Sequence, residues 1–221
     1  ETSFSTLSFL TRLIYNYRNR YVLTGTFRVD GSSKFLGANR FAPFPSFAFA
    51  WRMNEEPWFN VNFISMAKLR IGWGQVGNAS VSSYQTLPVF GNVYGPNHDP
   101  DNESQMVVGI VGTNIANPLL RWETSEQTNI GLDLGLWRGR FTLTADIYNK
   151  NTFDLLYKKK IAVSSGHSEM WVNQGVLNNR GMEFTVEAVP VKTGLVEWSL
   201  GGNISFNRGK IVSLGEGADG G

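Results

Sequence analysis

Tyr21-Val22-Leu23-Thr24-Gly25-Thr26-Phe27-Arg28-Val29-Asp30 alternates in character along its length. Tyr21, Leu23, Gly25, Phe27 and Val29 fall on one face; Val22, Thr24, Thr26, Arg28 and Asp30 fall on the other. Successive side chains of a β-strand point to opposite faces, so a period of two predicts a strand that is apolar on one side and mostly polar on the other. The same period recurs. Phe141, Leu143, Ala145 and Ile147 oppose Thr142, Thr144, Asp146 and Tyr148, and Ile130, Leu132, Leu134 and Leu136 oppose Asn129, Gly131, Asp133 and Gly135. Met182, Phe184, Val186 and Ala188 oppose Glu183, Thr185 and Glu187, while Leu200, Ile204 and Phe206 oppose Ser199, Asn203, Ser205 and Asn207. Segments 9–17, 47–52 and 68–74 fit less cleanly and bring the expected strands to eight.

Connections between these segments alternate in length. Arg18-Asn19-Arg20, Arg138-Gly139-Arg140 and Lys192-Thr193-Gly194 are short turns, whereas 31–44, 77–123 and 154–178 are long. Segment 54–65 breaks the rule mildly, and its Glu55-Glu56-Pro57-Trp58 suits a helical turn. An up-and-down meander with turns at one end and loops at the other is the pattern of a transmembrane β-barrel. Lipid offers the backbone no hydrogen-bond partner, so each strand must pair with neighbours and the sheet must close. Tyr17, Tyr21, Trp51, Trp137 and Phe141 sit at strand ends beside the short turns, where an aromatic girdle belongs. A soluble β-sandwich, such as a carbohydrate-binding adhesion or lectin module, shows the same alternation. The asymmetry of the connections and the end-placed aromatics favour the membrane.

Composition narrows the classes further. At 221 residues the chain is long enough for one all-β domain, and 42% hydrophobic residues argue against disorder. Charged residues are only 17%, low for a surface wholly in water, and a net charge of +2 is too small for a nucleic-acid partner. Without cysteine there are no disulfides, thiol nucleophiles or thiolate zinc sites. No run approaches the ~18 apolar residues of a membrane-spanning helix, and Glu1-Thr2-Ser3-Phe4 is not a signal peptide. Both ends read as cuts within something larger.

Several stretches resemble the SusC/RagA family of TonB-dependent outer-membrane transporters. The first runs from Arg20 through Tyr21-Val22-Leu23-Thr24-Gly25-Thr26-Phe27-Arg28-Val29-Asp30-Gly31-Ser32-Ser33-Lys34-Phe35. Others are Pro43-Phe44-Pro45-Ser46-Phe47, Asn54-Glu55-Glu56-Pro57-Trp58-Phe59 and Lys68-Leu69-Arg70-Ile71-Gly72-Trp73-Gly74-Gln75-Val76-Gly77-Asn78. Asn117-Pro118-Leu119-Leu120-Arg121-Trp122-Glu123-Thr124-Ser125-Glu126 and Asn178-Asn179-Arg180-Gly181-Met182-Glu183-Phe184 complete the series, in the family's order. The resemblance implies an all-β, antiparallel, up-and-down transmembrane barrel segment, about eight of about 22 strands. Residues 1–221 then form a partial barrel domain, without plug domain, energy-coupling box or C-terminal strand. It further implies import of glycan oligosaccharides or oligopeptides across the outer membrane of a Gram-negative bacterium. A SusD-like surface lipoprotein would close the mouth, and the TonB complex would act through the missing N-terminal region.

Nothing points to an enzyme, a metal site or a cofactor. His98 and His167 lie in long loops without the spacing of a zinc site, and a solvated side chain is the plain reading of each. His98-Asp99-Pro100-Asp101-Asn102-Glu103 gathers carboxylates that suit Ca²⁺, but a solvated turn explains them as well. Lys158-Lys159-Lys160 reads as a solvated rim, with lipid head groups or a partner as the sharper alternative. Arg12, Arg28, Asp30, Arg52, Arg70, Asp133, Asp146, Glu183 and Glu187 share the polar face and are expected to line an aqueous lumen. Tyr84, Phe90, Tyr94 and Trp171 in the long loops are the candidates for contact with substrate or lid, against the plainer reading that they pack loop on loop. The run from Met106 to Val111 is expected to pair in part as a hairpin that extends the barrel wall.

Overall fold

A computed structural model describes residues 3–96 and 106–215 of the chain. Twelve strands follow in order: β1 (Thr6–Tyr17), β2 (Tyr21–Ser32), β3 (Phe41–Arg52), β4 (Ile64–Asn78), β5 (Phe90–Pro96), β6 (Met106–Gly112), β7 (Glu123–Leu136), β8 (Phe141–Phe153), β9 (Leu156–Lys160), β10 (Glu169–Asn173), β11 (Val176–Lys192) and β12 (Glu197–Ser213). Eight of them make one antiparallel sheet in the order β1-β2-β3-β4-β7-β8-β11-β12. These are the eight alternating segments, each longer than its apolar stretch. At 12 to 17 residues they exceed the ~9–11 needed to cross a bilayer, so the wall continues past the membrane. The remaining strands pair off as β5–β6 and β9–β10. Met106 to Val111 therefore does lie in a hairpin, but that hairpin is a separate two-stranded sheet inside a loop and does not extend the wall.

Register decides what faces what. Leu23, Phe49, Ile71, Ile130, Ile147, Met182 and Phe206 are successive partners across seven strands and form one apolar row. The next row holds Tyr21, Trp51, Leu69, Leu132, Ala145, Phe184 and Ile204. A slip of one residue would bring Arg70, Asp146 and Glu183 to this face, which is why the pattern specifies the register so strongly. Ile147 is 59% exposed, Ile130 50% and Phe206 55%. No second sheet among the described residues covers this row, so the sandwich reading fails and lipid is the medium that fits it.

Short connections lie at one end. Arg18 and Asn19 (φ 51° and 56°) turn β1 into β2, and Trp137 and Arg138 (φ 50° and 59°) turn β7 into β8. Paired positive φ values match the twist of the strands they join. A longer connection at this end, 53–63, starts with a 3₁₀ turn at Met53–Glu55, and a further turn follows in which Phe59 N–H donates to the Glu56 carbonyl at 3.0 Å. Tyr17, Tyr21, Phe49, Trp51 and Trp58 form a continuous chain of ring contacts here, with centroids 6.2 to 6.4 Å apart, and Trp137 meets Phe141 at 6.3 Å. Glu56 folds back onto this girdle. Its carboxylate accepts from Tyr21 Oη at 2.5 Å and Trp51 Nε1 at 3.0 Å, with Arg20 at 3.5 Å. The Tyr21 hydrogen bond, then that of Trp51, holds the Glu56 carboxyl below the ordinary carboxylate range.

Buried apolar side chains collect at the opposite end. Phe35, Phe44, Val81, Leu120 and Trp122 form a cluster against which Ala42, Ala79, Leu156 and Trp171 pack. Phe35 and Leu120 are fully buried. The long loops thus carry a core of their own.

Candidate functional site

Arg70 on β4 is central to the lumen face. Its Nε and Nη2 donate to the two oxygens of Asp133 at 2.9 and 2.8 Å, and Nη2 also reaches Asp146 on β8 at 3.0 Å. Lys68 adds a second cation 3.7 Å from Asp133. The guanidinium spans β7 to touch β8, and Gly131 makes that possible. A Cβ at 131 would lie 2.3 Å from Asp146 Oδ1 and 2.7 Å from Arg70 Cζ, so only glycine leaves room. A fork matching two carboxylates is what a planar guanidinium provides and a lysine does not.

Other charges expected in the lumen have separate settings. Arg28 donates to Asp30 at 2.8 Å through Nε, Arg12 donates to Thr26 at 3.2 Å, and Glu183 lies directly across from Asp146 in the register. Glu187 shares that face further toward the short turns, and Arg52 lies opposite Lys68. Above the Arg70 row the lining is mostly amide and hydroxyl, with the ammonium of Lys150 among them. Gln127, Lys150 and Asn179 are partners in one row, Asn129, Tyr148 and Asn207 in a neighbouring pair of registers, and Tyr148 Oη donates to Asn207 Oδ1 at 2.6 Å. Together they border a shallow hollow of about 520 Å³. Neutral donors and acceptors bordered by charges of both signs, Asp146 and Glu183 with Lys150 and Arg208, suit a hydrated, hydroxyl- or amide-rich solute more than an apolar one.

Side chains tie the loops at the mouth to one another. Trp122 Nε1 donates to the Arg40 carbonyl at 3.2 Å, and its ring lies 5.4 Å from Phe35 and 5.7 Å from Phe44. Asn117 donates to the Trp171 carbonyl at 2.8 Å. Asn173 exchanges two bonds of 2.8 Å with the Arg121 backbone, and Arg121 pairs with Asp154 at 2.7 Å.

The four candidate aromatics do not gather in one site. Trp171 packs against the loop core, with Lys158 Nζ 5.9 Å above its ring. Tyr84, at φ 65°, borders a cavity of about 520 Å³ with Lys34, Arg40 and Thr86. Phe90 and Tyr94 stand exposed on one face of the β5–β6 hairpin. His167 borders a second cavity, of about 280 Å³, beside Asn114 and Trp171. Lys158 also pairs with Glu169, so this lysine is not a free rim charge. His98 and the acidic run 99–103 lie outside the described residues. Among the described residues no group of three or more His, Cys, Asp or Glu is placed to hold a metal. The loop core and the Gly131 gap were missed from sequence. Asn117-Pro118-Leu119-Leu120-Arg121-Trp122 carries part of the resemblance, and its apolar residues are the one hint of burial in the sequence.

An unpartnered apolar row, a polar lumen row and connections of unequal length define the wall of a transmembrane β-barrel. The chain belongs to the TonB dependent receptor-like, beta-barrel family, whose model matches residues 2–221, and this places it in the outer membrane of a Gram-negative bacterium. TonB-dependent receptor P3 of Formosa agariphila is 39% identical over 96% of the chain, and TonB-dependent receptor SusC of Bacteroides thetaiotaomicron is 37% identical over 99%. The chain spans about a fifth of the length of each, 21% and 22%. The solved RagAB peptide transporter superposes with a TM-score of 0.86 at 25% identity, over 97% of this chain and 23% of that one. The siderophore receptor PirA from Pseudomonas aeruginosa, at 16% identity and a TM-score of 0.58 over 92% of this chain and 34% of that one, shares the fold alone.

Proposed function

We propose that the full-length protein is a TonB-dependent importer of the SusC/RagA type. It takes up glycan oligosaccharides or oligopeptides and works with a SusD-like lipoprotein over its extracellular mouth. Residues 1–221 supply a partial barrel domain of that importer: wall, lumen lining and mouth. The observation that carries this reading is the alignment of nearly the whole chain with SusC, joined to the close superposition on the RagAB peptide transporter. The lumen chemistry is consistent with it, since amide and hydroxyl groups and Lys150 line the wall above a fixed Arg70 bridge whose row holds the carboxylates Asp146 and Glu183. Phe90 and Tyr94, exposed on the mouth hairpin, are the aromatics open to lid or substrate, with Tyr84 beside a mouth cavity. Trp171 serves the loop core first. No covalent step is asked of any residue.

The test is a chromosomal deletion of the full-length gene, complemented in trans and grown on panels of oligosaccharides and of peptides as sole nutrient. Loss of growth on one panel, with co-purification of a surface lipoprotein, is the expected result and names the substrate class. Undiminished growth on every nutrient with no lipoprotein partner would refute the proposal.

A further inference from the structure

Two long loops face each other across a cleft of about 280 Å³ at the mouth. One wall comes from the β4–β7 connection, with Ser82, Gln85, Thr113 and Asn114; the other comes from the β8–β11 connection, with Lys158, His167, Ser168 and Glu169. Ile115, Met170 and Trp171 supply the apolar lining. The four strands that carry these loops have neighbours on both sides in the sheet, so the cleft does not owe its opening to either edge strand. Asn117 staples the two walls together. Its N–H donates to the Gln85 carbonyl at 2.9 Å, and its side-chain amide donates to the Trp171 carbonyl at 2.8 Å. Asn114 fixes the first wall, accepting from Val89 N–H at 2.8 Å and donating to the Leu87 carbonyl at 3.0 Å. In the second wall Ile161 N–H holds the Ser168 carbonyl at 3.0 Å, and Lys158 pairs with Glu169. Within this fixed frame Ser82, Gln85, His167 and Ser168 make no side-chain hydrogen bond among the described residues. His167 Nε2 lies 3.9 Å from where a Cβ on Gly112 would be, so a longer side chain at this end of β6 would crowd the imidazole.

We infer that this cleft holds one neutral pyranose residue of an oligosaccharide, held by Gln85, His167 and the rim serines Ser82 and Ser168 and backed by Ile115 and Trp171. The lining selects among solutes. Lys158 and Glu169 are its only charged residues and pair with each other, so it presents no net charge to a carboxylate, sulfate or ammonium. An extended peptide docks through main-chain bonds along a sheet edge, whereas the unpartnered groups here are side chains. Amide, hydroxyl and imidazole groups both give and take hydrogen bonds, as the hydroxyls of a sugar do. A volume just under the ~300–1,000 Å³ of small-molecule pockets suits one ring rather than an oligomer. Because Asn117 joins the walls before any ligand arrives, little ordering cost falls on binding. The inference rests on the importer reading and narrows its substrate to a glycan that this chain grips by itself, apart from any lid.

The experiment uses the full-length protein in non-ionic detergent and isothermal titration calorimetry. The probes are hexasaccharides of glucose, mannose, galactose and xylose, hexagalacturonate, and a mixed pool of hexapeptides. At least one neutral hexasaccharide should bind. Gln85→Ala/His167→Ala should raise its Kd by roughly tenfold, as expected for two lost hydrogen bonds. Arg138→Gln, in a short turn at the opposite end, should bind as the parent does. Absence of binding to every neutral hexasaccharide, an unchanged Kd in the double variant, or an equal loss in Arg138→Gln overturns the site. Tighter binding of hexagalacturonate or of the peptides overturns the neutral sugar. Should the double variant fail to assemble, His167→Ala alone decides: a loss of about threefold supports the site and an unchanged Kd rejects it. Growth on the nutrient panels tests the importer reading separately. Uptake without binding at the cleft removes this inference alone, and binding at the cleft without uptake removes the importer reading alone.

Discussion

Leu132→Arg and Thr144→Arg place the same charge on opposite faces of the wall, nearly level with each other. Leu132 lies in the row of Leu69 and Ala145, with Ile130 on one side and Leu134 and Leu136 on the other, well inside the apolar band. An arginine there meets acyl chains and has no carboxylate in its row. Near mid-membrane such a change costs about 2–4 kcal/mol. Since each 1.4 kcal/mol is a factor of ten, the folding equilibrium should fall by roughly 30- to 1000-fold. Thr144 lies on the lumen face, directly across from Asp133, whose side chain is 15% exposed and already paired with Arg70 and Lys68. A third cation gains little from a carboxylate so well supplied, but it stays in water, so the change should be within about 1 kcal/mol. The assay is refolding of the full-length protein into lipid vesicles across a urea series, with folded and unfolded species separated by cold electrophoresis. Equal midpoints for the two variants, or a larger loss for Thr144→Arg, would refute the assignment of faces.

Arg70→Met should lower the free energy of unfolding by about 1–3 kcal/mol, because Asp133 and Asp146 lose their shared donor, and Arg70→Met/Asp146→Asn should recover part of it in the same urea series. Gly131→Ala should cost a comparable amount by pushing Arg70 off Asp146, and the two changes combined should be less than additive. Because the Glu56 carboxyl is depressed in the folded state, its stabilisation is complete above the ordinary carboxylate range and is lost as pH falls through and below it; Glu56→Gln should remove that pH dependence from Trp emission at the girdle. Leu120→Ala should cost about 2–5 kcal/mol locally, read as faster protease cleavage within the mouth loops while the wall's resistance to heat in detergent stays the same.

The wall was legible because its physics is periodic. Leu23, Leu132, Leu143 and Phe184 announce a face through their spacing alone, and the observed register confirms that they share it. Strand ends were less visible, because beyond the apolar band the outward face turns polar at Asn149 and Arg180 while the backbone ladder continues. The loop core had no period to read. Phe35, Val81, Leu120 and Trp122 come from separate segments, and only tertiary packing shows that they meet. Gly131 looked like one more lumen-face residue, because its meaning lies in an arginine on one neighbouring strand and a carboxylate on the other. Tyr84, Phe90, Tyr94 and Trp171 were grouped by residue type, and type carries no information about position within a loop.

Wall and mouth are therefore stabilised by different means. The wall's apolar rows are covered by lipid rather than by protein, so its stability rests on the backbone ladders, on lipid, and on lumen bridges such as Arg70 with Asp133 and Asp146. The mouth stands in water and obeys the rules of a soluble domain: a dry cluster around Leu120 and Trp122, closed by the exchanged Asn173–Arg121 bonds and the Arg121–Asp154 pair. A loop that holds its own core does not need a partner to be ordered. A lid that docks on such loops meets a prepared surface and loses less conformational entropy on binding than one that must first order them. On the importer reading proposed above, substitutions in the loop core should weaken association with a lid through lost order at the mouth, while substitutions on the lumen face should act on passage and leave such a lid in place.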